Sequence, residues 1–285
     1  HVFFFYESGR CLQVDRRKKN PLYLETLKTY STLALHRGCH IMFFPYGDRS
    51  HSGSIDKKLK LGLLGTTIEA QYLNLLKAEA NREKVKKIII VPVVLNYHFV
   101  LEAPFLVDEY LKETGRENYI NEENDQFSNS YDLLKVVYKL FTKNSEFLIS
   151  FGQGMDVFGN KVDDEGRSID HLNREVNIRD YFSSSGELKE DKQRNTEYVR
   201  MLGKKIFESY QKENTVFSSH LVTFAAFELL KQKHPKADLY DLLRISEDDR
   251  VIDGIDFKEA VTKLYVEVSR KASKGILKVD PDFVR

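Results

Sequence analysis

The sequence predicts an α/β fold with a mixed, largely parallel central sheet flanked by helices and with a helical C-terminal region. Segments of strand length alternate with amphipathic helical segments up to about residue 151, which is the order typical of such a sheet. The run from Lys87 to Leu95 is almost uninterrupted in apolar character, as expected of a strand buried on both faces of a parallel sheet. After about residue 191 only helical periodicity follows.

The predicted strands share short apolar runs bounded by turn-forming residues. They are Val2 to Tyr6, Cys11 to Val14, His40 to Phe44, Lys87 to Leu95 and Glu146 to Phe151. The chain begins with His1 instead of Met and enters the first strand immediately. We therefore expect further residues upstream of His1.

The predicted helices begin at capping residues and carry apolar positions at helical spacing. The first has Asn20 as its cap and Pro21 in its first turn, and it ends at Gly38, where glycine favours termination. The others are Thr67 to Ala80, Ser130 to Lys143, Asn195 to Gln211, His220 to Lys231, Ala237 to Leu243 and Phe257 to Lys274. Asp256 and Glu259 form a variant of the capping box before the last of them.

These elements divide the chain into three predicted regions. Residues 1–160 form the α/β domain, which we expect to be incomplete at its N-terminus, residues 161–192 form an irregular connection, and residues 193–285 form a helical region. No internal repeat is evident in the sequence.

Composition argues against several classes of protein. A net charge of +1 argues against nucleic-acid binding by the chain as a whole. Cys11 and Cys39 are too few for a disulfide framework and match no metal-ligand spacing, so we expect no metal site. No apolar run approaches the length of about 20 residues that a membrane span needs.

Positive charge is concentrated in one part of the chain. Between Arg10 and Lys60 there are eleven basic residues and four acidic residues. Two basic clusters, at residues 16–19 and 57–60, are separated by one predicted helix and one predicted strand. Loops so arranged can meet at one sheet edge, and we therefore expect a field there that attracts an anionic substrate or an anionic membrane surface.

The segment from Phe43 to Gly53 reads Phe-Phe-Pro-Tyr-Gly-Asp-Arg-Ser-His-Ser-Gly and directly follows a predicted strand. Loops at strand ends commonly carry the sites of α/β proteins. A glycine-containing loop offers backbone N–H groups, and Arg49 offers a planar guanidinium, both of which suit a phosphate. Taken alone, the same composition is also typical of an ordinary surface loop.

This loop resembles the third sequence block of the glycerol-3-phosphate and lysophosphatidate acyltransferases, which reads approximately Phe-x-Glu-Gly-x-Arg-Ser-Arg-x-Gly. Lys-Leu-Gly at residues 60–62 is similar to the Lys-x-Gly that follows it in the family. Residues 90–97, Ile-Val-Pro-Val-Val-Leu-Asn-Tyr, resemble the fourth block, and residues 9–17 loosely resemble the second. With the strand at residues 147–151, the resemblance extends over residues 9–160.

The resemblance implies an O-acyltransferase of phospholipid biosynthesis. Such an enzyme moves a fatty acyl group from acyl-CoA or acyl carrier protein to glycerol-3-phosphate, without a further cofactor. The implied location is the cytoplasmic face of a membrane, to which the protein would bind peripherally.

The family's phosphate-binding positions match six residues of this sequence. These are Arg49, Ser50, Gly47, Arg16, Arg17 and Lys60. The resemblance implies that Arg49 holds the phosphate and that Gly47 and Ser50 shape its loop. It also implies that Pro92 forms the wall on the acyl side.

The family's catalytic pair is a His-x4-Asp in a first block, upstream of the second. A histidine oriented by an aspartate can accept the proton of the hydroxyl that attacks the thioester. Only eight residues precede Gly9, so we expect this pair upstream of the chain and assign no catalytic residue within it. His51 to Asp56 has the same spacing but lies within the third block, where we interpret it as a coincidence.

Three alternatives stay open. The acceptor could be lysophosphatidate, because Tyr46 and His51 replace the family's Glu and Arg. The chain could instead be a non-catalytic member that binds a phosphate or a lipid. It could also be an unrelated α/β protein whose basic loops bind a nucleotide phosphate, although no P-loop or Gly-x-Gly-x-x-Gly is present.

Overall fold

The computed structural model describes residues 2–5, 11–14, 20–45, 59–98, 100, 147–237, 241–242, 245–246, 248–280 and 283. The described helices are α1 (Pro21–His36), α2 (Gly62–Asn81), α3 (Lys192–Glu213), α4 (Ser218–Lys233) and α5 (Gly254–Ser273), with 3-10 turns at Ile178–Tyr181 and Asp248–Arg250. The predicted helix from Ser130 to Lys143 lies outside the described residues.

The described strands are short. They are β1 (Val2–Phe5), β2 (Cys11–Val14), β3 (Val93–Tyr97), β4 (Phe147–Phe151), β5 (Lys161–Val162), β6 (Ser168–Ile169), β7 (Glu175–Val176), β8 (Ser183–Ser184), β9 (Glu187–Leu188), β10 (Thr215–Val216) and β11 (Lys278–Val279).

The prediction of a largely parallel central sheet is wrong. Among the described residues, β5, β6 and β7 form a three-stranded antiparallel sheet, and the remaining strands form the pairs β1–β2, β3–β4, β8–β9 and β10–β11. The parallel pair β10–β11 is only two residues long on each side. Residues 40–44, which the sequence predicts as a strand, have no regular structure.

The predicted strand at Lys87 to Leu95 shows why the sheet differs. Ile88 and Ile90 pack against the core, whereas Ile89 and Val91 are 49% and 47% exposed. Side chains that alternate in this way leave one face of the segment open, and a central parallel strand is instead covered on both faces. The regular strand begins only at Val93.

Local chemistry explains where two of the helices begin. The Asn20 side chain accepts a hydrogen bond from the Leu22 N–H at 2.9 Å, and Pro21 occupies the first turn of α1, as the sequence predicts. For α5 the cap is Asp253, whose carboxylate accepts bonds from the N–H groups of Ile255 and Asp256. The predicted cap at Asp256 is therefore wrong, because the helix begins about one turn earlier, with Asp253 as its cap.

The chain divides into two compact units, and the division falls inside β3, β4 and α3. The first unit comprises His1–Val93 and Phe151–Tyr210, and the second comprises Val94–Ser150 and Gln211–Arg285. In the first, α1 packs on α2, and the core joins α2, α3 and the hairpins between residues 155 and 182. Its buried members are Leu64, Ile68, Leu75, Met155, Val157, Phe158, Ile178, Phe182, Val199, Leu202 and Ile206.

A seven-residue repeat, which the sequence predictions miss, builds the three-stranded sheet. Its three copies are Asp-Val-Phe-Gly-Asn-Lys-Val at 156–162, Asp-Asp-Glu-Gly-Arg-Ser-Ile at 163–169 and Asp-His-Leu-Asn-Arg-Glu-Val at 170–176. In each copy the aspartate side chain accepts a hydrogen bond from the N–H of the fifth residue, at 3.0, 2.7 and 2.9 Å. The fourth residue, Gly159, Gly166 or Asn173, has a positive φ of 83°, 78° or 58°, which glycine and asparagine tolerate best.

In the second unit α4 packs against α5. Phe217, Leu221 and Ala225 are buried there. Asn96 joins β3 to the segment before β10, because its amide donates to Asn214 Oδ1 at 2.6 Å and accepts from the Thr215 N–H at 3.2 Å. None of the described helices is both long enough and apolar enough to span a membrane.

Candidate functional site

The structure describes two of the residues that the sequence assigns to a site. Lys60 is exposed and Pro92 is buried. Gly47, Arg49, Ser50, Arg16 and Arg17 lie outside the described residues, so their roles stay predictions.

The two ends of the segment that carries Arg49 are joined directly. The Lys60 N–H donates a hydrogen bond to the carbonyl of the buried Pro45 at 2.7 Å. Because Pro45 precedes the segment and Lys60 follows it, this bond fixes both ends at one place in the first unit. That place is the start of α2, which begins at Gly62.

The N-terminus of α2 is electrostatically suited to an anion. Leu61 is the N-cap and supplies no side-chain hydrogen bond, and no acidic residue lies in the first turn. A helix of 20 residues carries a partial positive charge at this end, where backbone N–H groups point outward. Lys60 adds a basic side chain two residues before Gly62.

Helix α3 packs against the start of α2. A Cβ on Gly203 would lie 2.7 Å from Leu61 Cδ2, and a Cβ on Gly65 would lie 3.9 Å from Val199 Cγ2. The absence of a side chain at Gly203 therefore permits the close approach of Leu61. The hydroxyls of Thr66 and Thr67 turn back onto the helix carbonyls of Leu63 and Leu64 at 2.6 and 2.7 Å.

A buried polar bridge ties α2 to the segment that leads toward Pro92. Gln71, 1% exposed, accepts from the Ile88 N–H at 2.7 Å and donates to the Lys86 carbonyl at 3.1 Å. Asn74 donates to the same carbonyl at 3.0 Å and pairs with His36 of α1 at 2.7 Å. Since buried polar groups need such partners, this bridge fixes the path of residues 86–88.

Pro92 continues this segment in a covered position. Its carbonyl accepts a hydrogen bond from the Gly152 N–H at 2.8 Å, and two residues earlier Ile90 exchanges both backbone bonds with Met155. Pro92 lies on the same side of the alternating segment as Ile88 and Ile90, which pack on the core. Its proposed part in an acyl-side wall stays a prediction.

His98 and His220 make structural contacts. His98 lies 4.0 Å from the Phe217 ring, centroid to centroid, and its Nδ1 is 3.3 Å from Ser219 Oγ. His220 Nε2 donates to the Tyr97 carbonyl at 2.6 Å. Within the described ranges no histidine is paired with a carboxylate, and no cluster of three or more His, Cys, Asp or Glu side chains could hold a metal ion.

Comparison with curated proteins finds a glycerol-3-phosphate acyltransferase of Histophilus somni (strain 129Pt), which is 33% identical over 113 residues. The match covers 39% of this chain and 12% of that protein, so the chain spans a small part of its relative. No family model matches the chain, and no solved structure matches it significantly. The similarity suggests an acyltransferase.

Proposed function

We propose that this chain is part of an O-acyltransferase that moves a fatty acyl group from acyl-CoA or acyl carrier protein to the hydroxyl of glycerol-3-phosphate. The bond between Pro45 and Lys60 is the structural observation that carries the proposal. It holds together Pro45 and Lys60, the two described residues that flank the segment with Gly47, Arg49 and Ser50, close to the start of α2. The similarity to the Histophilus somni acyltransferase supports the same reaction class.

In this proposal the residues of the chain bind and orient the acceptor. The Arg49 guanidinium would form paired hydrogen bonds to the phosphate, and Lys60 with the first turn of α2 would add positive charge. Arg16 or Arg17 would be a further cation. Fixing the phosphate in this way would hold the reacting hydroxyl close to the thioester, which lowers the entropic part of the barrier.

The chemical step would use a His–Asp pair from residues upstream of this chain. The hydroxyl oxygen attacks the thioester carbonyl carbon, and the histidine accepts the hydroxyl proton. The carbon–sulfur bond then breaks, and the thiolate leaves and takes up a proton. The basic residues between Arg10 and Lys60 would also favour the anionic cytoplasmic face of a membrane, each contributing about 1 kcal/mol near the surface.

An acyl-transfer assay tests this function on protein that includes the upstream residues. Labelled glycerol-3-phosphate is supplied with acyl-CoA or with acyl carrier protein, and labelled lysophosphatidate is measured. We expect Arg49→Ala to raise the acceptor KM about tenfold to hundredfold, the range for hydrogen bonds to a charged group. Lys60→Ala should raise it about fivefold, since Lys60 is an exposed residue.

Lys77→Ala is the matched control, because Lys77 is an exposed lysine near the C-terminal end of α2, about four turns from the start of the helix. It should leave the acceptor KM unchanged. Turnover with unaltered acceptor kinetics in Arg49→Ala would remove the phosphate site from this loop. Absence of turnover with both donors, together with binding of labelled glycerol-3-phosphate, would favour a non-catalytic member, and lysophosphatidate would be the next acceptor to test.

A further inference from the structure

The second unit contains an open cleft that the proposed function does not use. Its volume is about 380 Å³, which falls in the range of about 300–1,000 Å³ for small-ligand sites. The lining residues come from β4, the end of α3, β10 and the segment from the end of α5 to β11. They are Leu148, Ser150, Lys212, Thr215, Ala272, Gly275, Leu277, Lys278 and Val279.

The chemistry of the lining has two parts. Leu148, Ala272, Leu277 and Val279 make it largely apolar, whereas two of its other members are lysines. Lysine side chains commonly line a surface with their apolar stems and keep the ammonium group at the rim. A ligand that complements both parts has an aliphatic chain and one anionic end.

The charges around the cleft favour an anion. Lys278 is paired with Glu213, whose side chain is 8% exposed, so this pair is close to neutral. Lys212 has no ion pair among the described residues, and Lys274, between Ala272 and Gly275 in the chain, has none there either. Helices α3 and α5 both end here with a partial negative charge of about half a unit each, which together is smaller than the two full charges of Lys212 and Lys274.

A buried hydroxyl provides a further observation. Thr215 lines the cleft and is 2% exposed, and its Oγ1 has no hydrogen-bond partner in the described part of the chain. Buried hydroxyls ordinarily have a partner. The Thr215 hydroxyl is therefore an unused hydrogen-bonding group of the lining, and it lies three residues from Lys212 in the chain.

We propose that the cleft binds an aliphatic anion, with its chain over Leu148, Leu277 and Val279 and its anionic end near Lys212. The cleft lies wholly in the second unit, whereas the loop between Pro45 and Lys60 belongs to the first. The proposal is therefore independent of the acyl-transfer reaction, and either one can fail without the other.

Displacement of a fluorescent probe, 11-(dansylamino)undecanoate, from the 285-residue chain tests the ligand class. We expect laurate and lauryl phosphate to displace it at least about tenfold better than 1-dodecanol, the equivalent of about 1.4 kcal/mol. Inorganic phosphate should not displace it. Laurate and lauryl phosphate together distinguish a carboxylate from a phosphate head. Equal displacement by 1-dodecanol, or displacement by inorganic phosphate, would overturn the proposal.

Three substitutions test the position of the site. Lys212→Gln should weaken laurate binding about fivefold, and Lys204→Gln, an exposed lysine two turns earlier on α3, should leave it unchanged. Ala272→Leu keeps a good helix former and fills the cleft, so it should abolish binding while thermal stability is retained. Binding that is unchanged in both Lys212→Gln and Ala272→Leu would place the probe elsewhere.

Thr215→Val separates the role of the hydroxyl from stability. Because it removes a buried polar group that has no partner in the described residues, it should raise the melting temperature of the free protein. It should also weaken laurate binding severalfold. A higher melting temperature with unaltered laurate affinity would remove Thr215 from the proposed contacts.

Discussion

In two segments of the first unit, the burial of side chains is the opposite of what the polarity of the segment predicts. The apolar segment from Ile88 to Val93 leaves Ile89, Val91 and Val93 between 38% and 49% exposed. The polar segment from Asp156 to Val176 forms ordered hairpins in which Phe158 and Ser168 are buried. Burial here follows the hydrogen bonds that a segment can complete and the neighbours available to cover it, and mean hydropathy alone does not predict it.

The difference has a local cause. Each repeat of the polar segment supplies the hydrogen bonds and the backbone conformation that its own turn needs. An aspartate accepts from backbone N–H groups, and a glycine or asparagine takes the positive φ. The turns then hold a side chain such as Phe158 over the core. The apolar segment has no such device and depends on neighbours, which cover its inward face at Ile88 and Ile90.

Replacing a buried phenylalanine of the polar segment and an exposed one of β4 gives the largest expected contrast. Phe158 is 6% exposed and stacks on Tyr181 at 4.2 Å, whereas Phe151, at the end of β4, is 69% exposed. Phe158→Ala should lower the free energy of unfolding by about 3–5 kcal/mol, and Phe151→Ala by less than about 1 kcal/mol. Urea unfolding followed by far-ultraviolet circular dichroism measures both. Similar losses for the two variants would mean that the difference in burial between these two side chains does not determine their contribution to stability.

The next effect concerns the first aspartate of the repeat. Asp156 is 1% exposed and accepts from the N–H groups of Phe158 and Asn160 at 2.9 and 3.0 Å and from the Asn160 amide at 3.0 Å. Asp156→Ala leaves buried donors without an acceptor and should cost about 3 kcal/mol. Asp156→Asn keeps one acceptor oxygen and should recover part of this loss.

Asp163→Ala is the matched change in the second copy. Asp163 makes the same turn bond at 2.7 Å, but it lies at the surface with Arg167. Water can replace its lost acceptor there, so its loss of stability should be clearly smaller. If Asp163→Ala were as damaging as Asp156→Ala, burial would not explain the difference between copies.

The sequence predicts local features well and long-range ones poorly. Asn20, Pro21 and the span of α1 follow from capping chemistry that involves neighbouring residues. The sheet does not, because the exposure of Ile89 and Val91 depends on partners distant in the chain. The repeat is visible in principle as Asp-x-x-Gly or Asp-x-x-Asn every seven residues, but its short period lies below the lengths at which repeats are usually sought.

The features of the candidate site also fall into local ones, which the sequence predicts, and long-range ones, which it does not. The basic clusters and the loop motif follow from neighbouring residues and stay predictions at Arg49 and Arg16. The closure of the loop by Pro45 and Lys60 joins positions fifteen residues apart, and the packing of Gly203 against Leu61 joins two distant helices. Neither contact leaves a recognisable pattern in the sequence.

The glycines of the turns provide a smaller effect. Gly166 has a φ of +78°, and nothing lies within 4 Å of the position that a Cβ would take, so Gly166→Ala should cost about 1–2 kcal/mol from backbone strain alone. Gly159→Ala should cost more, because its Cβ would also lie 2.8 Å from Lys205 Cγ. Gly166→Asn should cost least, since Asn173 has the same role with a φ of 58°. Thermal unfolding should show the largest loss for Gly159→Ala, an intermediate loss for Gly166→Ala and the smallest loss for Gly166→Asn.

The smallest expected effect is a loss of folding stability at acidic pH. The backbone N–H of Arg174 and then its guanidinium lower the pKa of Asp170 from 3.8 to about 2. The folded state thus favours the charged carboxylate more than the unfolded state does, so this contribution is complete above about pH 4 and is lost as the pH falls toward 2. The same contacts at Arg167 lower the pKa of Asp163.

Asp170→Asn should therefore be less stable than the unaltered chain near neutral pH, and the two should converge as the pH approaches 2. Asp164→Asn is the control, because the Asp164 side chain makes no hydrogen bond or ion pair among the described residues, and its difference from the unaltered chain should not change over this range. Melting temperatures between pH 2 and 6 at constant ionic strength measure both. A difference at Asp170 that persisted at pH 2 would mean that the turn depends on the shape of this side chain and not on its charge.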